Sequence, residues 1–178
     1  SLKTVDAFRA HVASLGIEIP CEDEIVGNDS PIGQPLTTLT LNGKTLGNRI
    51  ALHPMEGWDG TTDGGVTDPM RRRWRRFGES GAKLICGAEA MAVRPDGRAN
   101  PNQLIINEAN QAGLVELRDL LLSAHREKYG TTDDLALGFQ LTHSGRFCRP
   151  NGKFTYEPRI AYRHPILDDK FKVQGDGD

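Results

Sequence analysis

The sequence lacks three features: a long apolar run, a patterned set of cysteines and a large excess of charge of either sign. No run approaches the ~18 apolar residues of a membrane span, and Asp6 and Arg9 lie where a signal peptide would be apolar. The 22 Lys and Arg residues against 24 Asp and Glu leave a formal charge of -2, which excludes a general electrostatic grip on nucleic acid. We therefore expect a cytoplasmic protein with neither a membrane nor a nucleic acid as its partner.

The three cysteines, Cys21, Cys86 and Cys148, are too widely spaced for a disulfide framework or for a zinc site built on closely paired cysteines. We therefore expect free thiols in a reducing compartment, and we predict no bound metal. Cys86 falls in the middle of an apolar run, so we expect it to be a small core residue, whereas Cys148 falls in a loop with no visible partner.

Glycine and proline, by contrast, are plentiful. The 20 Gly and 10 Pro residues predict many turns and long loops between short regular elements. Residues 1–35 are predicted to form an N-terminal helix, with Thr4 as its N-cap and Gly16 after its end, and then a connecting arm. Residues 36–178 are predicted to form a second domain, which opens with a short hairpin that turns at Asn42-Gly43.

The rest of the second domain repeats a pattern of strand, long loop and helix. We predict three strands and two helices, and Asp68 and Pro69 are expected to be the N-cap and first residue of the first helix. The predicted strands cover 50–54, 84–92 and 135–141, the helices cover 68–80 and 109–129, and 142–178 is a loop without a clear helix. Such consecutive units predict an α/β fold with a parallel sheet.

The predicted loops differ in length at the two ends of the strands. The loops after strands run to roughly a dozen residues or more, whereas the returns from helix to strand are very short. This asymmetry favours a (β/α)8 TIM barrel, of which the chain supplies the hairpin and the first three β/α units, although a doubly wound sheet fits the pattern nearly as well. A TIM barrel needs about 250 residues, so we expect the chain to be the front part of a larger fold.

Five short sequence motifs resemble those of a known protein family. They are NRIALHPM at 48–55, TD at 67–68, GAKLI at 81–85, EAMAVRPDGR at 89–98 and QLTHSGR at 140–146. In order and spacing they resemble the N-terminal half of the Old Yellow Enzyme family of flavin oxidoreductases, over residues 36–165. Each motif alone is weak evidence for the family, whereas five motifs in the right order make the resemblance specific.

The resemblance implies an FMN-dependent barrel in which NADH or NADPH reduces the flavin, and the flavin passes hydride to a small electron-poor alkene or similar oxidant. It implies that Pro54, Met55 and Glu56 lie against the flavin after the first strand, that Ala90 contacts the ring, and that Gln140 bonds its pyrimidine side. An amide suits that position because it donates and accepts at once. The catalytic residues and the phosphate site belong to later strands of the family, so the chain alone is not expected to be competent.

One residue departs from the family pattern. Members that reduce enones often carry Thr or Cys where this chain has Glu56. An ionised carboxylate there would oppose the negative charge that develops on a reduced flavin. We therefore expect Glu56 either to lower the flavin potential or to point away from the ring.

Two other functions remain open on the sequence. His53, Glu89 and His143 end successive strands and could hold a divalent metal in a barrel hydrolase, although no His-x-His or Glu-x-x-His motif supports this, and Glu89 is better explained as the buried partner of an arginine. Alternatively, the chain is a non-catalytic half-barrel that buries its edge strands against a second copy, as a homo-oligomer, or against a separate second half.

The arginine-rich run 71–76 resembles a nucleic-acid patch by composition alone. Met70, Trp74 and Phe77, however, share one side of the predicted helix and would form a packed stripe. We therefore expect the arginines to lie on a solvated helix face.

Overall fold

The computed structural model describes residues 2–23 and 27–173, and the chain divides into two compact units, Ser1–Thr37 and Thr38–Asp178. In the first unit, helix α1 covers Val5–Ser14, and the Thr4 hydroxyl caps it by accepting a hydrogen bond from the Ala7 N–H at 3.1 Å. A 3-10 turn at Gln34–Leu36 ends the arm, of which residues 24–26 lie outside the described residues.

The second unit opens with the predicted hairpin. Strands β1 (Leu39–Leu41) and β2 (Lys44–Leu46) pair antiparallel, and Asn42 and Gly43 both have positive φ, at 49° and 79°. Two consecutive positive φ values form the tight turn that Asn-Gly favours. The prediction for this hairpin is confirmed.

Three parallel strands form the main sheet, as predicted. Strands β3 (Ala51–Leu52), β4 (Leu84–Ala92) and β5 (Ala136–Thr142) are ordered β3-β4-β5, and each neighbouring pair is parallel. Strand β3 is only two residues long, shorter than predicted, because Pro54 has no N–H to continue the ladder. The α/β class is confirmed, and the closed barrel stays a prediction.

Two helices cover one face of this sheet. Helix α2 spans Asp68–Glu79 and helix α3 spans Gln111–Tyr129, and the left-handed Gly130 ends α3 as predicted. The N-cap of α2 is Thr67, so the prediction that Asp68 is the cap was wrong by one residue. Asp68 lies in the first helical turn instead, where a carboxylate stabilises the helix by interacting favourably with its dipole.

The core lies between the sheet and these helices. Its buried residues come from α2, β4, α3 and the segments next to them: Met70, Trp74, Ile85, Ala88, Met91, Leu104, Leu114, Leu117, Leu121 and Leu135. Met70 and Trp74 are fully buried, so the packed stripe on α2 is confirmed. The solvated arginine face is confirmed except at Arg73, which is half-buried between Asp59 and Glu89.

A bulge interrupts β4. Cys86 is paired with Gly138 and Ala90 with Gln140, so β4 uses four steps where β5 uses two. Gly87 permits the bulge because its φ is +73°, and a Cβ there would clash with the backbone nitrogen of Gln140. Cys86 is exposed, so the prediction that it is a core residue was wrong: it alternates with the buried Ile85 and faces away from the helices.

The last segment contains one helix that the sequence pattern missed. Helix α4 covers Leu167–Phe171, a single short turn inside the predicted third loop, and residues 174–178 of that loop lie outside the described residues. Within the described part of the chain, no helix is both long enough and apolar enough to cross a membrane.

Candidate functional site

The carboxyl edge of the sheet brings three of the predicted flavin contacts into line. The Met55 carbonyl accepts a hydrogen bond from the Ala90 N–H at 3.1 Å, and Ala90 is the register partner of Gln140 on the next strand. Neighbouring strands are about 4.8 Å apart, so the three residues form a continuous ridge, which we call the strand-end ridge. Met55 is 72% exposed and Gln140 is exposed, whereas Ala90 between them is buried.

Several polar groups of the strand-end ridge are free for a ligand. Among the described residues, neither the Gln140 side chain nor the backbone N–H of Met55 or Glu56 makes a hydrogen bond. The Glu56 side chain is exposed, and Pro54, half-buried, has no N–H to donate. The ridge therefore presents two backbone donors on one side and an amide that both donates and accepts on the other.

Glu89 fixes the loop that carries one end of this ridge. Its carboxylate accepts hydrogen bonds from the Gly57 N–H at 3.1 Å and from Trp74 Nε1 at 3.3 Å, and it pairs with Arg73 Nη1 at 3.1 Å. Burial raises the pKa of Glu89, and the Arg73 guanidinium opposes that shift. The prediction that Glu89 is a buried partner of an arginine is confirmed.

These contacts also bear on the metal hypothesis. The Glu89 carboxylate is fully buried and engaged by Gly57, Arg73 and Trp74, while His53 is exposed and His143 accepts a hydrogen bond from the Gly145 N–H through Nδ1. Across residues 2–23 and 27–173, no three His, Cys, Asp or Glu side chains are grouped as metal ligands. The structure therefore does not assemble the three residues of that hypothesis.

Two buried amides connect the loop after β4 to the strand ends, and the sequence analysis missed both. Gln103 accepts from the Ala99 N–H at 2.7 Å and donates to the Ala90 carbonyl at 2.8 Å and to Thr142 Oγ1 at 3.2 Å. Asn100 donates to the Gly57 carbonyl at 2.9 Å. The Gln103 amide thus fixes the Ala90 carbonyl in the middle of the ridge, and the Asn100 amide fixes Gly57, next to Glu56 at its end.

Arg98 organises the same loops from the centre. Its guanidinium donates to the carbonyls of Pro95, Thr62, Pro101 and Pro150 at 2.7–3.0 Å, which come from three different loop segments. Burial lowers the pKa of Arg98. Arg98 thus cross-links the three loop segments by donating to backbone carbonyls.

The opposite, amino edge of the sheet holds a separate buried cluster. His125 Nδ1 donates to the Gly78 carbonyl at 2.8 Å, so Nε2 is the acceptor for Lys83 Nζ at 2.9 Å, and Lys83 also pairs with Asp134 at 2.8 Å. Burial lowers the pKa of His125. Gly47, which follows β2, packs closely against this cluster, so that a Cβ there would clash with the Asp134 carboxylate. The end of the hairpin therefore covers this edge of the sheet.

This chain is similar to several solved structures. The chain is similar to 2-naphthoyl-CoA reductase in complex with 2-naphthoyl-CoA, at 16% identity over 65% of this chain and 16% of that one, with a TM-score of 0.55. It is similar to the Old Yellow Enzyme homologue from Zymomonas mobilis, at 21% identity over 63% of this chain and 28% of that one, with a TM-score of 0.50. It also matches the Old Yellow Enzyme from Trypanosoma cruzi, at 25% identity over 68% of this chain and 32% of that one, with a TM-score of 0.49.

The first two of these matches confirm the resemblance to the Old Yellow Enzyme family at the level of the fold. The chain spans about a sixth to a third of the length of the structures that it matches. No protein-family model and no curated protein sequence matches it.

Proposed function

We propose that this chain supplies the flavin-contacting edge of an FMN-dependent oxidoreductase. The proposed reaction is hydride transfer from NADH or NADPH to a small electron-poor alkene or similar oxidant, with FMN as the carrier. The observation that supports it most is the strand-end ridge, where Met55, Ala90 and Gln140 lie side by side with free polar groups. The fold that this chain shares with a reductase and with an Old Yellow Enzyme homologue agrees with this proposal.

The ridge fits the edge of a flavin ring. The ring presents carbonyl and imine acceptors together with an imide N–H, so it needs both donors and acceptors in one plane. The N–H groups of Met55 and Glu56 would donate to the ring, and the Gln140 amide would donate and accept. Ala90 has only a methyl group between them, which lets a flat ring approach the backbone closely.

When bound, FMN would supply the redox chemistry, and the protein would supply position and charge. The described residues do this through a rigid support: Glu89, Gln103 and Asn100 fix the backbone on which the ridge is built. We propose that the contacts to the FMN phosphate and the group that activates the oxidant come from outside these residues.

The test is the cofactor content of the natural polypeptide that carries this sequence. Purified without added flavin, it should show the visible absorption of a flavin, and acid release should yield about one FMN per chain. Gln140→Leu should weaken FMN binding by about tenfold or more, as expected when two hydrogen bonds to the ring are lost.

Gln111→Leu is the matched control, because Gln111 is also an exposed glutamine but begins α3 away from the ridge. It should leave FMN affinity unchanged. A colourless protein with no affinity for FMN, or equal affinities in the two variants, would contradict the proposal.

A further inference from the structure

A cavity of about 630 Å³ lies in the segment that follows β5. Its walls come from residues 154–159, in the loop after that strand, and from residues 170–172, at the end of α4. The volume falls within the roughly 300–1,000 Å³ of small-molecule sites. We call this feature the aromatic cavity, and it shares no residue with the strand-end ridge.

Three aromatic side chains line the aromatic cavity: Phe154, Tyr156 and Phe171. The Tyr156 and Phe171 rings meet edge to face, with their centroids 5.0 Å apart. Phe154 is 85% exposed and Tyr156 is 42% exposed. Exposed rings around one concavity are favourable contacts for a further ring, because aromatic pairs gain more than their buried area alone provides.

Backbone hydrogen bonds fix the wall that carries Tyr156. The Glu157 N–H donates to the Cys148 carbonyl at 2.8 Å, and the Arg159 N–H donates to the Gly145 carbonyl at 2.9 Å. These two bonds join the opposite sides of the loop 145–159. The Tyr156 ring is therefore positioned before any ligand arrives, which lowers the entropic cost of binding.

The wall that carries Phe171 is also fixed. Asp168, on the same short helix, pairs with Arg146 at 2.8 Å, and both side chains are largely buried. Phe171 itself packs edge to face on Phe147, with the ring centroids 4.8 Å apart. Both aromatic walls of the cavity thus belong to supported parts of the segment.

The aromatic cavity has more cationic than anionic side chains. Among the described residues, the cations that line it are Arg159, Lys170 and Lys172, and the one carboxylate is that of Glu157. Arg159 already pairs with Asp96 at 3.4 Å, so the two lysines supply the available positive charge. Neither lysine pairs with a carboxylate of residues 2–23 or 27–173. The cavity therefore favours a negatively charged group beside its rings.

A chain of contacts connects the aromatic cavity to the strand-end ridge. The Arg149 guanidinium lies 5.4 Å from the centroid of the Tyr156 ring and 5.4 Å from that of the Trp58 ring. Arg149 also donates to the Ala99 carbonyl at 3.0 Å, which holds it in place. Trp58 lies two residues after Glu56, in the loop that carries one end of the ridge. The aromatic cavity is therefore beside that loop.

We propose that the aromatic cavity binds an aromatic ring that carries a negatively charged group, as one end of a molecule that exchanges hydride at the strand-end ridge. Phe154 and Tyr156 would contact the ring, and the Lys170 ammonium would attract the charged group. This inference rests on the proposed function and deepens it, because it names the chemistry of one reactant. The adenine nucleotide end of NADH or NADPH has this chemistry, and so has an aromatic carboxylate on the oxidant.

The first experiment measures binding by calorimetry, using the natural polypeptide that carries this sequence. The two probes are adenosine 5′-monophosphate and the aromatic enone acid 4-carboxybenzylideneacetone. Wild type should bind at least one of them saturably, and Tyr156→Leu should weaken that binding by about fivefold, because an aromatic contact is lost. Phe154→Leu should weaken it similarly, and its exposed position lets the ring be removed without loss of packing. Circular dichroism establishes that each variant is folded.

Tyr162→Leu is the matched control for the ring contact. Tyr162 belongs to the same segment, is 65% exposed, and lies under the Arg146 guanidinium as Tyr156 lies under that of Arg149. It does not line the aromatic cavity, so its variant should bind both probes as wild type does. Equal losses in the two tyrosine variants, or no saturable binding of either probe to wild type, would overturn the inference.

Lys170→Gln tests the negatively charged group. It should weaken binding of adenosine 5′-monophosphate, or of the enone acid, by about threefold and leave binding of adenosine, or of the methyl ester, unchanged. Lys128→Gln is the matched control, because Lys128 is an exposed lysine that lies over the Tyr129 ring as Lys170 lies over that of Phe171. Equal effects of the two lysine variants would contradict a role for the charged group.

The second experiment identifies which reactant enters the cavity, using the flavin-bound natural polypeptide. Tyr156→Leu should raise KM about fivefold for NADH relative to reduced nicotinamide mononucleotide if the ring is the adenine. It should instead raise KM for 4-carboxybenzylideneacetone relative to pent-3-en-2-one if the ring belongs to the oxidant. FMN affinity should stay unchanged. Unchanged KM values for all four compounds, or a loss confined to FMN, would overturn the assignment to a hydride-exchanging molecule.

The two proposals fail separately. Saturable binding that Tyr156→Leu weakens, in a protein without flavin, would contradict the proposed function and the assignment of the ring to a hydride-exchanging molecule. A flavin-containing protein that binds neither probe would contradict only this inference.

Discussion

The two edges of the parallel sheet satisfy their polar groups in opposite ways. At the amino edge, Lys83, His125 and Asp134 bond to one another and to the Gly78 carbonyl. At the carboxyl edge, the supporting groups are equally well satisfied, but Gln140 and the Met55 and Glu56 N–H groups are free within the described residues. The comparison indicates that the amino edge serves stability, and it agrees with our proposal that the carboxyl edge binds a ligand.

The largest expected effect comes from breaking the amino edge. Lys83→Met keeps the length of the side chain and removes its ammonium group, which leaves Asp134 and the His125 Nε2 acceptor without their common donor. We expect the free energy of unfolding to fall by about 3 kcal/mol, measured by urea denaturation. Lys153→Met, at an exposed loop position, should change it by less than about 0.5 kcal/mol. A Lys83 variant as stable as wild type would show that the cluster contributes little.

The support of the carboxyl edge should be nearly as sensitive. Gln103→Leu leaves the buried Ala99 N–H without its acceptor and the Ala90 carbonyl without the Gln103 donor. We expect the free energy of unfolding to fall by about 2 kcal/mol. FMN binding should also weaken, because the Ala90 carbonyl loses the hydrogen bond from Gln103 that positions it. If stability falls while FMN affinity stays at the wild-type value, Gln103 does not position the ridge.

A smaller effect should appear with pH at the amino edge. Burial lowers the pKa of His125 below its usual 6.5, so on acidification the unfolded chain takes up this proton before the folded chain does. The stabilisation is therefore complete above about pH 6.5 and is lost as the pH falls through the folded value. Denaturation curves at a series of pH values should show this loss in wild type and in His53→Asn, whereas His125→Asn should lack that step. Equal pH dependence in the two variants would contradict this origin.

The smallest effect concerns Glu56 at the carboxyl edge and rests on the proposed function. Because its side chain is exposed, water screens its charge, so Glu56→Gln should raise the flavin potential by only about 10–20 mV. Spectroelectrochemistry of the flavin-bound natural polypeptide measures this shift. Glu108→Gln, another exposed glutamate, should leave the potential unchanged. A potential that moves by less than about 5 mV in both variants would mean that Glu56 lies far from the ring.

Local signals predicted the framework well. The bounds of β4 and the turn at Asn42-Gly43 follow from an apolar run and from one dipeptide with a strong backbone preference. The alignment of Met55, Ala90 and Gln140 follows from parallel topology alone, since all carboxyl ends share one edge. These features depend on sequence neighbours or on a general rule of sheets.

The features that sequence reasoning missed depend on distant partners. Gln103 and Arg98 lie in a loop without periodicity, and their roles arise from carbonyls up to 52 residues away along the chain. Arg146 likewise has its carboxylate partner, Asp168, 22 residues further along the chain. The glycine at position 87 could have indicated a bulge, but the number of extra residues in the bulge is known only from the register between β4 and β5.

The bulge in β4 has a consequence for how this strand can change length. Its offset is even: four steps on β4 match two on β5, so parity is conserved and Ala90 faces the same side of the sheet as Cys86. Deleting one residue between 87 and 89 would move the side chains of Ala90 and of every later position of the strand to the opposite face of the sheet. Deleting two would preserve parity. Insertions and deletions at this place are therefore expected in pairs of residues. Only an even change keeps the side chains at both ends of β4 on their present faces of the sheet.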